Sequence, residues 1–207
     1  MTSVEVVVPA YDEAGRIGPT VASLADRYDV VVVDDGSTDG AAREARSAGA
    51  HVVEQPTNRG YIASLKRGFR ESTADIIVTF DADGEHRTAD IDRLVDPIRA
   101  DRLDLVLGAR ERIPRPSERL LNRLARLRVD VTDSGTGLRA LRRPLAADLT
   151  LDTGCTCGTL VLEAAAKGAR IGEIPVETRG IQKPRGIAWR HARQLFHVVR
   201  YLLYTDD

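Results

Sequence analysis

The stretch Ile76-Ile77-Val78-Thr79-Phe80-Asp81-Ala82-Asp83-Gly84-Glu85-His86 decides how this chain is read. An apolar, β-branched run stops abruptly at a group of acids. A short continuous apolar run marks a strand buried on both faces, the kind found in parallel sheets. In open α/β sheets ligands sit beyond the carboxyl ends of the strands, and the acids fall at that end. In extended chain two acids one residue apart point to opposite sides. One of Asp81 and Asp83 can therefore take a metal while the other holds a ribose or an outer-sphere water. Hard oxygen ligands select Mg²⁺ or Mn²⁺, and Glu85 offers a third. The plain alternative is a polar turn that ends a strand.

Moving outward, the same grammar repeats. Val4–Val8 is an apolar run followed by Pro9-Ala10-Tyr11-Asp12-Glu13, and Val30–Val33 is followed by Asp34-Asp35-Gly36-Ser37. His51–Glu54 reads as a short strand, and Leu103–Leu107 leads into Gly108-Ala109-Arg110. Helical stretches fill the gaps: Arg16 to Tyr28, Ala41 to Ala48, Asn58 to Ser72 and Thr88 to Asp101. Ser37-Thr38-Asp39 reads as the start of the second helix. Alternating strands and helices imply right-handed crossovers and a doubly wound, mostly parallel sheet flanked by helices. Asp34 and Asp35 can accept hydrogen bonds from a ribose or a base edge, or simply cap the next helix.

The second half is less regular. Ser117 to Arg128 is a basic, Leu-rich helix, Asp133-Ser134-Gly135-Thr136-Gly137 a tight turn, Thr159 to Lys167 a helix and Ile171–Val176 a strand. Thr178 to Gly186 is a basic, Gly-hinged loop that reads as a lid over phosphate or as a solvated loop. Ile187 to Tyr204 is a C-terminal amphipathic helix. Its stripe of Ala188, Ala192, Leu195, Val199 and Leu202, broadened by Trp189, Phe196 and Leu203, suits either docking on its own domain or lying in a membrane interface.

Composition narrows the class. The 207 residues carry 43% hydrophobic and 29% charged residues and a formal net charge of -1, which argues against nucleic acid as the main partner. Cys155 and Cys157, one residue apart, are a poor disulfide and have no zinc-site companions. No basic leader precedes the first strand, and no apolar run approaches the ~18–20 residues of a membrane span. The expectation is a cytoplasmic chain with peripheral membrane contact at most.

The motifs Val8-Pro9-Ala10-Tyr11-Asp12-Glu13, Val33-Asp34-Asp35-Gly36-Ser37-Thr38-Asp39, Asn58-Arg59-Gly60 and Asp81-Ala82-Asp83-Gly84-Glu85-His86 together resemble family 2 glycosyltransferases. The branch they resemble is the dolichol-phosphate mannosyltransferase type, with a GT-A fold. Asp133-Ser134-Gly135-Thr136-Gly137-Leu138-Arg139 resembles that branch's Asp-x-x-Ser-Gly-Phe-Arg segment. The resemblance implies one GT-A domain over 1–207, with a nucleotide-sugar-binding half (1–110), an acceptor half with the basic loop (111–186) and the final helix (187–207). It implies an inverting transfer of a hexose from a GDP- or UDP-sugar to a polyprenyl phosphate or similar acceptor, assisted by Mg²⁺ or Mn²⁺.

The resemblance also implies roles. Pro9, Ala10, Tyr11 and Glu13 would line the nucleoside side of the donor site, with Asp34, Asp35, Asn58, Ala82 and Arg110 completing it. Asp81 would help hold the donor, Asp83 would be the principal metal ligand, and Glu85 stands where the branch usually has Gln. Arg139, Arg179, Lys183 and Arg185 would meet phosphates. The branch often has Lys where this chain has Tyr61, and its stretch between Arg110 and Asp133 is longer. A hydroxyl acceptor would need a carboxylate base, for which Asp133 is the candidate, whereas a phosphate monoester, with a second pKa of about 6, is already largely dianionic. Two other readings compete: a sugar-nucleotide pyrophosphorylase, disfavoured by the acidic loop after the first strand, and a non-catalytic or partner-dependent nucleotide-sugar-binding relative.

Overall fold

A computed structural model describes residues 2–113, 115–152, 155–179 and 188–204, with side chains of the last helix described over 194–203. The first half runs β1 (Val4–Ala10), α1 (Ile17–Ala25), β2 (Asp29–Asp34), α2 (Ala41–Ser47), β3 (His51–Glu54), α3 (Tyr61–Glu71), β4 (Ile76–Thr79), α4 (Asp90–Arg99) and β5 (Leu105–Arg110). The second half adds α5 (Pro116–Ala125), β6 (Arg139–Arg142), α6 (Arg143–Asp148), α7 (Thr159–Ala166), β7 (Ile171–Val176) and α8 (Ala188–Tyr204).

The seven strands form one sheet in the order β3-β2-β1-β4-β6-β5-β7. All neighbours are parallel except β6, which runs antiparallel to both β4 and β5. The valine runs are continuous because each strand is covered on both faces. Val6, Val8, Val30 and Val32 face the layer of α1, α2 and α4 through Ile17, Val21, Ala45 and Leu94. Val7, Val31 and Val33 face the opposite layer through Leu65, Phe69, Leu121, Leu160 and Val198.

The antiparallel β6 was not expected from sequence, and neither was α6. The turn at 133–137 lies at the carboxyl ends of β4 and β5, so the chain re-enters the sheet there and runs backward between them. Thr79 Oγ1 donates to the Gly137 carbonyl at 2.7 Å, which seats this entry beside the end of β4. A Cβ at Gly137 would lie 2.0 Å from Asp81 Oδ2, so only glycine lets the backbone pass that carboxylate.

The final helix docks on its own domain. Val198 is fully buried, and Leu195, Tyr201 and Leu202 pack against the same core. The buried stripe is rotated from the expected one: Val199 is partly exposed, while Phe196 and Leu203 are 68% and 66% exposed. The side chains of Trp189, Arg190 and Arg193 lie outside the described residues. Among the described residues no helix is long and apolar enough to cross a membrane.

Candidate active site

The loops after β1 and β2 are tied to each other before they meet any ligand. Asp12 adopts a left-handed backbone (φ 51), a conformation Asp tolerates better than most residues. Its N–H donates to Ser37 Oγ at 3.0 Å, and its Oδ1 accepts from Thr38 N–H at 2.9 Å. Asp39, expected at a helix start, accepts from Ala41 N–H and reaches back to Ala14 N–H at 2.8 Å. Asp35 holds the third loop: it accepts from Gln55 Nε2, from Arg59 N–H and from Gly60 N–H at 2.7–2.8 Å. Three loops that are far apart in sequence thereby form one rigid rim.

The rim encloses a cleft of about 470 Å³ at the carboxyl ends of β1, β2 and β4. Eight of the expected donor-site residues line it (Pro9, Ala10, Tyr11, Glu13, Asp35, Asn58, Asp81 and Ala82), together with Asp83, the expected metal ligand. Four carboxylates are among them, and among the described lining residues there is no lysine or arginine. Burial pushes the Glu13 carboxyl up; Arg16 opposes this, and Asp83, Asp39 and Asp81 add to it. Gly60, Tyr61 and Ser64 complete the lining. Tyr61 was noted only as a departure from the branch's usual Lys, and Ser64 was missed. Ser64 follows from α3 geometry, because positions 61 and 64 share one helix face. The Tyr61 hydroxyl stands 3.5 Å from Asp81 Oδ1. Burial and the Asp81 charge raise its pKa.

Beyond β4 the chain doubles back at Gly84 (φ 76), a turn that glycine adopts without strain. Glu85 N–H donates to Asp83 Oδ1 at 3.0 Å. The turn brings Asp81, Glu85 and His86 together, with one ligand atom of each within 4.8 Å of the others. Asp83, expected as the principal metal ligand, is not in this group; it lines both the main cleft and a neighbouring one of about 310 Å³. The His86 side chain is 1% exposed, its Nε2 lies 3.8 Å from Asp81 Oδ2, and neither ring nitrogen has a hydrogen-bond partner. Two carboxylates beside an orphaned buried imidazole fit a divalent cation, because buried polar atoms normally find a partner.

Several expected site residues lie elsewhere. Asp34 is buried; its Oδ2 accepts from Ser37 N–H at 3.1 Å and so holds a turn. Asp133, the candidate base, is 0% exposed. Its Oδ2 accepts from Arg110 Nε at 2.7 Å and its Oδ1 from Arg110 Nη2 at 2.9 Å. Both oxygens are engaged, so it is not poised to take a proton from an acceptor. Arg110, expected at the donor, is held in that pair and by Glu118 at 3.2 Å. Burial works against its charge, but the Asp133 hydrogen bonds and charge more than offset this and raise its pKa. Arg139 is 1% exposed and donates through Nη2 to Thr156 at 2.8 Å, and its guanidinium also stands beside Tyr61, which lines the cleft. Arg179 lines the second cleft, and its N–H donates to the Glu85 carbonyl. Lys183 and Arg185 lie outside the described residues.

Known proteins agree with this geometry. The sequence model of glycosyl transferase family 2 matches residues 5–159. An undecaprenyl-phosphate mannosyltransferase of Micrococcus luteus is 31% identical over 82% of this chain and 81% of its own length. A dolichyl-phosphate hexose transferase of Haloferax volcanii is 31% identical over 84% of this chain and 82% of its own length. Among solved structures, glucosyl-3-phosphoglycerate synthase from Mycobacterium tuberculosis, in complex with Mn²⁺, UDP and phosphoglyceric acid, superimposes with a TM-score of 0.82 at 20% identity. That match covers 96% of this chain and 78% of the other. The fold is that of a GT-A glycosyltransferase, and the chain belongs to glycosyl transferase family 2.

Proposed function

We propose that this chain moves a hexose from a GDP- or UDP-sugar to a polyprenyl phosphate, as one domain over 1–207, with inversion at the anomeric carbon. The observation that carries this reading is the charge of the cleft. Four carboxylates line it among the described residues, and a cation placed between them and a diphosphate would favour binding of the diphosphate. Asp81 and Glu85 would hold that Mg²⁺ or Mn²⁺, with Asp83 at the wall toward the second cleft. Bound there, the cation would neutralise charge building on the departing diphosphate. Pro9, Ala10, Tyr11, Asn58 and Ala82 would enclose the nucleoside, and Asp35 would hold the rim in register. A dianionic phosphate acceptor attacks without a general base, which agrees with Asp133 being consumed by Arg110. The two relatives above carry names that specify undecaprenyl- and dolichyl-phosphate acceptors.

The exposed Phe196 and Leu203 of α8 suit peripheral contact with the bilayer that holds such an acceptor. The test is transfer of labelled hexose from GDP- and UDP-sugars, with Mn²⁺ present, to a polyprenyl phosphate. Label in the lipid fraction with inverted anomeric configuration is expected. Label released only as free sugar would leave the acceptor assignment without support.

A further inference from the structure

We propose that His86 is a nitrogen ligand of the divalent cation and sets its preference toward transition ions such as Mn²⁺ and Co²⁺ over Mg²⁺. The inference rests on the metal-assisted reading above and adds a residue to it. His86 is packed edge-on against Phe80, with ring centroids 5.8 Å apart and an interplanar angle of 71°. That contact fixes the ring but satisfies neither nitrogen. A neutral imidazole carries one donor and one acceptor, and both are orphaned here with the side chain 99% covered. Asp81 Oδ2, at 3.8 Å, is too far for a hydrogen bond. It stands at a separation suited to two ligands of one ion: at bond lengths of about 2.1 Å, ligand atoms lie about 3–4 Å apart. Glu85 closes the group within 4.8 Å.

A histidine that served only the core would have its ring nitrogens paired. Here the turn at Gly84 aims the ring at the carboxylate that also borders the donor cleft. Mg²⁺ demands oxygen ligands in near-ideal octahedral geometry and dehydrates reluctantly. An imidazole in the set therefore favours the first-row transition ions, with Co²⁺ above Mn²⁺ in the Irving–Williams order.

The experiment measures Mn²⁺, Co²⁺ and Mg²⁺ binding to the full chain in the presence of UDP by calorimetry and electron paramagnetic resonance, for wild type, His86→Gln and His86→Ala. Loss of the nitrogen is expected to weaken Mn²⁺ by at least about tenfold and Co²⁺ by more, with Mg²⁺ changed by less than about threefold. Pulsed resonance on wild-type protein with Mn²⁺ and UDP is expected to show coupling to an imidazole nitrogen; this readout holds even if both variants misfold. Mn²⁺ bound by wild type without nitrogen coupling, or equally by folded His86→Gln, overturns the role of His86 while leaving the donor site standing. No metal-dependent UDP binding by wild type overturns the donor site itself, and this inference with it.

Discussion

Two clusters of carboxylates in this molecule have opposite fates. Glu13, Asp35, Asp81 and Asp83 line an open cleft, with Glu13 also paired to Arg16 at 2.9 Å. Asp133 and Glu118 lie inside, against the Arg110 guanidinium. The residue types are the same, but Glu118 belongs to α5 and Asp133 to the turn that leads into β6. Access to the cavity separates them. A buried carboxylate that has its own arginine is structure, since removing either partner strands a charge. A group of carboxylates gathered around an open cavity is placed to meet a cation. Charge in the sequence shows where chemistry can occur, and access to a cavity shows where it does.

The sharpest way to break this comparison is Asp133→Ala, which should cost about 3–5 kcal/mol of stability by leaving Arg110 unpaired in the interior. A denaturant midpoint shift corresponding to less than about 1 kcal/mol would put Asp133 back among the candidate bases. Asp81→Asn should do the reverse: transfer falls by about 10²–10³-fold, while the melting temperature holds. Collapse of that variant would mean the open cluster is structural too. Gly137→Ala sharpens the comparison from the side, since its Cβ meets Asp81 Oδ2 at 2.0 Å. The displaced carboxylate should reduce turnover by about 10- to 100-fold in kinetic assay, and a variant with wild-type turnover would show that the carboxylate's position is not critical.

The smallest effect concerns Glu13. Burial leads in raising its pKa above the unfolded value, with Arg16 opposing and Asp83, Asp39 and Asp81 adding. Its contribution to stability is therefore full below the unfolded pKa and lost as pH rises through the folded one. Glu13→Gln should raise the melting temperature of the metal-free protein at pH 7, with the gain shrinking as pH falls toward 4. A gain that does not depend on pH would contradict the electrostatic origin.

Much of this was legible from residues alone, for physical reasons. The strands β1, β2 and β4 are β-branched runs buried over most of their length, and the donor-site loops follow them because a parallel sheet exposes those ends. What escaped was decided by tertiary packing. Arg139-Ala140-Leu141-Arg142 is too short and too basic to read as a strand; it is one because β4 and β5 leave a slot that Leu141 fills from one face and Ala140 from the other. Arg110 and Arg139 are expected in the site through the family resemblance and Asp133 through its tight turn, and neither signal shows that all three are buried. His86 sat inside the deciding stretch, but only coordinates reveal that its nitrogens have no partner.

The central claim is that the cleft holds a nucleoside diphosphate through a cation on the Asp81 carboxylate. The most direct test is thermal unfolding with GDP, UDP and their hexose derivatives, with Mn²⁺ and then with EDTA. At one hundred times its Kd a ligand should stabilise the fold by about 2.7 kcal/mol. The account predicts such a shift for one nucleotide series, abolished by EDTA and by Asp81→Asn. No shift with any nucleotide, or a shift of equal size in EDTA, would contradict it.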